Sequence, residues 1–128
     1  MRQQSADRQR LERYEPGATS FLLAVITDED RAARVELDDG QIAWKSTIRY
    51  DRLHRRVNGN TGEVEFRLEE LPADSGGEQS LISLIAEGGR GAEFSELVQF
   101  GERLLAFDDR TGLVCEIRES HQLVPRHI

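Results

Sequence analysis

Residues 42–68 read IAWKSTIRYDRLHRRVNGNTGEVEFRL, and their periodicity decides the fold class. Ile42, Trp44, Ile48 and Tyr50 share one parity, with Lys45 and Arg49 on the other. Period two is the signature of a half-buried strand. Asn58-Gly59-Asn60-Thr61-Gly62 is a turn, because Asn and Gly adopt positive φ at little steric cost. Beyond it Val64, Phe66 and Leu68 alternate with Glu63, Glu65 and Arg67, which predicts a second strand. Between the two, Arg49, Arg52, His54, Arg55 and Arg56 form a basic cluster interrupted by Asp51. It reads as a solvated loop, with nucleic-acid contact as the alternative.

Working outward, Phe21-Leu22-Leu23-Ala24-Val25-Ile26 is too short for an independent helix and reads as a strand buried on both faces. Residues 1–19, rich in Gln, Arg and Glu and ending near Glu15-Pro16-Gly17, read as a polar tail. A short helix through Leu11 would lack an apolar stripe. On the other side, Leu71 to Gln79 is a loop and Leu81 to Ile85 a short strand. A weak strand surrounds Leu97-Val98. Arg103 to Phe107 and Leu113 to Ile117 are strands joined by Asp108-Asp109-Arg110-Thr111-Gly112, and Leu123-Val124 opens one more. Seven or eight short strands with little helix make residues 20–128 all-β: a sandwich, a barrel or a propeller.

Composition narrows the function classes. The 128 residues carry 24 Asp+Glu against 17 Lys+Arg, a net charge of −7, which disfavours a general nucleic-acid binder. Residues 1–62 have a net charge of +1 and residues 63–128 of −8. No run approaches the ~20 apolar residues of a membrane span. No apolar signal-peptide core is visible in residues 1–17. The single cysteine, Cys115, excludes an internal disulfide and a Cys-rich zinc module. Its parity with Leu113 and Ile117 makes it a core residue rather than a nucleophile.

Four loops carry residues capable of chemistry. Thr27-Asp28-Glu29-Asp30 ends the first strand; its acids suit a hard cation or a water, although the residues alone favour a helix N-cap leading into Arg31-Ala32-Ala33-Arg34. Gly88-Gly89-Arg90-Gly91 allows close backbone approach and offers a guanidinium for a phosphate, but it matches no standard phosphate loop, and the residues alone favour an ordinary flexible turn. Glu93-Phe94-Ser95-Glu96 presents oxygen ligands of a kind suited to Ca²⁺, or an ordinary bend. Asp108-Asp109-Arg110-Thr111-Gly112 is a good hairpin turn that could also hold one carboxylate at a site.

Taken as ordered motifs, these loops resemble one family. Residues 85–97, IAEGGRGAEFSEL, followed by LAFDDRTGLV at 105–114, are similar to the G-R-G-M-E-L-S-D-L and V-D-D-R-T-G-V-V motifs of the calcium-activated nucleotidases, or apyrases. Ala24-Val25-Ile26-Thr27-Asp28-Glu29-Asp30 resembles the family's A-V-I-A-D-L-D strand end, and Val124-Pro125 falls at its V-P. The resemblance covers residues 20–126, with 31–79 poorly matched. It implies a five-bladed β-propeller with a Ca²⁺ in the central tunnel. The implied reaction is hydrolysis of nucleoside di- and triphosphates, UDP and GDP preferred, to the monophosphate and phosphate. Carried over by position, Asp28 and Asp109 are catalytic candidates. Asp30, Arg90 and Glu93 are substrate-binding candidates, and Ser95 and Glu96 metal-ligand candidates. Glu96 stands where the family has Asp, which lengthens that arm.

Family members run to roughly 300 residues, as five four-stranded blades require. This chain is expected to supply about two blades, a partial propeller, and to be inactive alone. The full-length enzyme could form a homodimer. A non-catalytic β-sheet binding module is the alternative function. Members of the family usually enter the secretory pathway, and with no signal visible the compartment is left open.

Overall fold

The structure is a computed structural model and describes residues 17–127. The tail predicted over residues 1–19, up to Pro16, and its short helix through Leu11 fall outside the described residues.

One long strand organises the first sheet. β1 is Ser20–Thr27, β2 Arg34–Glu36, β3 Ile42–Val57, β4 Val64–Glu70 and β5 Glu78–Ser83. β3 is antiparallel to all four others. Along one edge it pairs with β1 from Thr47 to His54 and with β2 from Ile42 to Trp44. Along the other edge it pairs with β5 from Trp44 to Arg49 and with β4 from Asp51 to Val57. Each edge is therefore a single row interrupted once, at residues 28–33 on one side and 71–77 on the other.

This corrects the reading of the basic cluster as a loop. Arg49, Arg52, His54, Arg55 and Arg56 all lie within β3. Cross-strand acids make extended backbone acceptable there. Arg56 bonds Glu65 directly opposite, His54 Nε2 lies 2.8 Å from Glu69, and Arg49 approaches Asp51, Glu70 and Glu78. The Arg56 bond, with a further one from Asn58, holds the Glu65 carboxyl below its usual range. β2 is a strand that periodicity missed, having three residues and no apolar alternation. β5 starts earlier than predicted, at Glu78, and stops at Ser83, whose hydroxyl accepts the Ile85 N–H at 3.1 Å as the chain turns away.

The second sheet is a meander: β6 (Phe94–Phe100), β7 (Arg103–Asp108), β8 (Val114–Ile117) and β9 (Leu123–His127), paired in that order. β6 carries a bulge at Ser95, where the register shifts between Phe94 and Glu96. Among the described residues nine strands thus replace the seven or eight predicted and helix is confined to short 3-10 turns, so the fold is all-β.

The core lies where the two sheets meet. Ile48, Tyr50 and Leu81 of the first pack with Phe94, Leu104 and Ile117 of the second. β1 contributes one face only, through Leu22, Ala24 and Ile26, while Val25 on its other face is 49% exposed. The expectation of burial on both faces fails at Val25, while Phe21 and Leu23 on the same face are half-buried. Cys115 is buried as expected, and burial, with a smaller contribution from Asp108, pushes its thiol up to about 11. A thiol so shifted is a poor nucleophile at neutral pH.

Strand direction gathers the loops. The C-terminal ends of β1 and β5 lie beside the N-terminal half of β3. Phe94, which opens β6, pairs with Asp108, which closes β7, and β1 packs beside β6. Residues 28–33, 84–93 and 108–112 all leave from this one end.

Candidate functional site

β1 delivers the first acids. Thr27 is still extended and paired with Thr47, so its hydroxyl donates across the sheet to the Thr47 carbonyl at 3.3 Å instead of capping a helix. The N-cap reading fails for that reason: residues 30–33 form a 3-10 turn without a side-chain cap. Asp28 instead folds the loop back, its Oδ1 accepting the Asp30 N–H at 2.7 Å. Asp30 sits at φ +48°, a left-handed conformation that Asp tolerates better than most residues. Glu29 turns the other way, accepting from Thr47 Oγ1 at 2.5 Å and pairing with Lys45 at 3.5 Å.

The second loop arrives from β5. Glu87 and Arg90 exchange backbone bonds around Gly88 and Gly89, both at positive φ. That is a tight hydrogen-bonded turn rather than a flexible one. It is clamped at Gly91, where a Cβ would collide with the Ile85 carbonyl oxygen and stand 3.2 Å from the Trp44 ring. Only glycine fits there. Ala92 is fully buried at φ +55°, and its carbonyl accepts the Ser46 hydroxyl. A non-glycine residue in that region stores strain held by the packing around it.

The clamp brings Arg90 and Glu93 onto the first loop. Arg90 Nε donates to Glu93 Oε1 at 2.6 Å, and its Nη2 to Asp30 Oδ1 at 3.1 Å. Asp28, Asp30 and Glu93 each offer a carboxylate oxygen, all within 4.8 Å of one another. Glu93 is only 3% exposed. Three carboxylates and one guanidinium carry a formal charge of −2, which a divalent cation would neutralise. Ca²⁺–oxygen bonds of about 2.3–2.6 Å allow two ligands to stand up to about 5 Å apart, so the spread suits that ion. These carboxylates could supply three of the six to eight oxygens Ca²⁺ takes.

The remaining predicted residues stand apart from this trio. Ser95 and Glu96 are exposed on β6, at and after the bulge. Asp109 is exposed on the β7–β8 hairpin. Its neighbour Asp108 is the buried one, with Oδ1 accepting the Arg110 and Thr111 N–H groups at 2.9 and 3.1 Å to cap the turn. The hairpin still reaches the second loop, since the Arg110 guanidinium lies 3.3 Å from where a Gly88 Cβ would be.

Periodicity missed three residues beside the trio. Arg31, Arg34 and Trp44 line an open recess of about 380 Å³ together with Asp30, Gly88, Gly89 and Arg90. Trp44 reads as an ordinary strand position, and only the register shows Arg34 directly opposite it.

The family model described as Apyrase matches residues 29–128. Among known proteins, the chain is 37% identical over 99 residues to an apyrase of Cimex lectularius, covering 77% of this chain and 25% of that protein. It is 34% identical over 110 residues to soluble calcium-activated nucleotidase 1 of Mus musculus, covering 86% and 24%. It is 29% identical over 113 residues to apyrase apy-1 of Caenorhabditis elegans, covering 88% and 28%. The chain spans about a quarter of the length of these curated relatives. A family match over most of the chain, running through the loops that place Asp30, Arg90 and Glu93 together, identifies this protein as a member of the Apyrase family.

Proposed function

We propose that the protein is a Ca²⁺-dependent nucleotidase that hydrolyses nucleoside di- and triphosphates, UDP and GDP preferred, to the monophosphate and phosphate. The observation that supports this best is the convergence of Asp28, Asp30 and Glu93 with Arg90 on motifs shared with the family. In this reading the two sheets are two blades of a five-bladed propeller, and the loops of residues 28–33, 84–93 and 108–112 face its tunnel. Bound there, Ca²⁺ would supply charge neutralisation for phosphate oxygens.

Asp28, Asp30 and Glu93 hold negative charge toward the cation. Ser95 and Glu96 add oxygens from β6 once further blades surround them. In this reading Asp28 and Asp109 would accept a proton from, and orient, the attacking water, a role carried over from the family motifs. Arg90 neutralises the trio when no cation is bound and offers a guanidinium for phosphoryl charge in the transition state. The two-blade chain alone is expected to be inactive.

The test is phosphate release from UDP and GDP by a longer protein that includes this chain, with Ca²⁺ and with EGTA. Release abolished by EGTA and by Asp28→Asn supports the reading. No release under any condition favours a non-catalytic binding module instead.

A further inference from the structure

We propose that Ser46 is a positioning residue: through the Ala92 carbonyl, its buried hydroxyl fixes where the Glu93 carboxylate stands. The inference rests on the nucleotidase reading, in which Glu93 holds negative charge toward the cation, and adds a residue that no motif marks.

Ser46 lies on the face of β3 that carries Ile48 and Tyr50 into the core, and it is fully buried. A hydroxyl at such a position is costly unless it is hydrogen-bonded. Leu81, directly across the ladder on β5, has no polar group in its side chain. The Ser46 hydroxyl donates instead to the Ala92 carbonyl, 46 residues further along, in the segment that leads into β6.

Ala92 depends on that bond. It is fully buried at φ +55°, where its Cβ is crowded and extended backbone is the easier alternative. The Ser46 bond satisfies the buried carbonyl with the chain turned this way. The next residue is Glu93, and its direction from the chain follows from the Ala92 peptide. Asp30 is exposed and can adjust to a ligand, whereas Glu93 is buried, so the backbone decides its place. Rotation at Ala92 toward the extended region would carry Glu93 away from Arg90 Nε, now 2.6 Å distant, and from the oxygens of Asp28 and Asp30. Ser46 thus touches no ligand itself and acts through the strained residue beside the trio.

The test reads the Arg90–Glu93 interaction first, because that needs no metal. Arg90→Ala, Glu93→Gln and their double variant in the 128-residue chain are unfolded in urea. Their coupling is expected to be about tenfold in the unfolding constant with Ser46 in place, and less than about twofold with Ser46→Ala. Ser46→Cys, close in volume and a weaker donor, replaces the alanine variant should that chain not fold. The second readout is calorimetric Ca²⁺ affinity at a temperature where each chain is folded, expected to fall about tenfold in Ser46→Ala. A merely structural hydroxyl would lower stability alone. A coupling no larger with Ser46 than without it therefore overturns the proposal, whatever Ca²⁺ does. Coupling lost together with Ca²⁺ affinity supports it. Coupling lost with no Ca²⁺ binding, or with unchanged Ca²⁺ affinity, upholds the positioning by Ser46 and counts against the cation reading of Glu93 instead.

Discussion

The two interruptions in the edges of β3 are built from opposite materials. At residues 71–77 the backbone closes on itself. The Gly77 carbonyl accepts the Tyr50 N–H at 2.8 Å, and the Gly77 N–H reaches the Pro72 carbonyl at 2.9 Å. Gly76 takes a left-handed φ of +89°. At residues 28–33 side chains hold the loop: Asp28 to the Asp30 N–H, Glu29 to Thr47 and Lys45, and Asp30 to Arg90. The first interruption is a sealed structural joint. The second leaves charged groups whose partners a ligand can replace, which is where this sheet can bind something.

Breaking the sealed joint should have the largest effect. In Gly77→Ala the new methyl would sit 2.6 Å from the Pro72 carbonyl oxygen and closer still to that of Leu71. A loss of about 3 kcal/mol is expected in urea unfolding. Ca²⁺ should still raise the melting temperature of whatever fraction folds.

Glu93→Gln cuts into the ligand-facing side. It removes the charge from a buried carboxylate bonded to Arg90. About 2 kcal/mol of stability should be lost, together with the Ca²⁺-induced rise in melting temperature.

A control outside both interruptions is Glu116, which accepts from Arg126 Nε at 2.8 Å between β8 and β9. That bond holds its carboxyl below the usual value. A depressed folded pKa gives a stabilisation present above the unfolded value of 4.5 and lost as pH falls through the folded one. Arg126→Ala should therefore flatten the pH dependence of the melting temperature below about pH 4.5 and leave Ca²⁺ binding unchanged.

The smallest stability effect belongs to Asp30→Asn. The Asp30 side chain is 73% exposed, so the change should cost less than about 0.5 kcal/mol while weakening Ca²⁺. A large loss of stability here would erase the contrast between the two interruptions.

These contrasts also show what could be read in advance. Alternation in residues 42–50, the turn at 58–62 and the parity of Cys115 are local properties, and the strands, the turn and the buried thiol follow from them. The length of β3 was hidden, because Arg49 to Arg56 looks solvated until Glu65, Glu69, Glu70 and Glu78 lie alongside it. The joining of Asp28 and Asp30 to Glu93, more than 60 residues away, is a matter of register and of the clamp at Gly91. The motifs pointed to those residues one by one. The recess of Arg31, Arg34 and Trp44 had no motif at all.

The central claim is that Asp28, Asp30 and Glu93 share one cation. Tb³⁺ luminescence excited through Trp44, which lines the recess that Asp30 and Arg90 also bound, reads it directly. The expected result is saturable sensitised emission that Ca²⁺ displaces and that Asp28→Asn and Glu93→Gln each abolish. Emission that persists in both variants, or that Ca²⁺ does not displace, would contradict it.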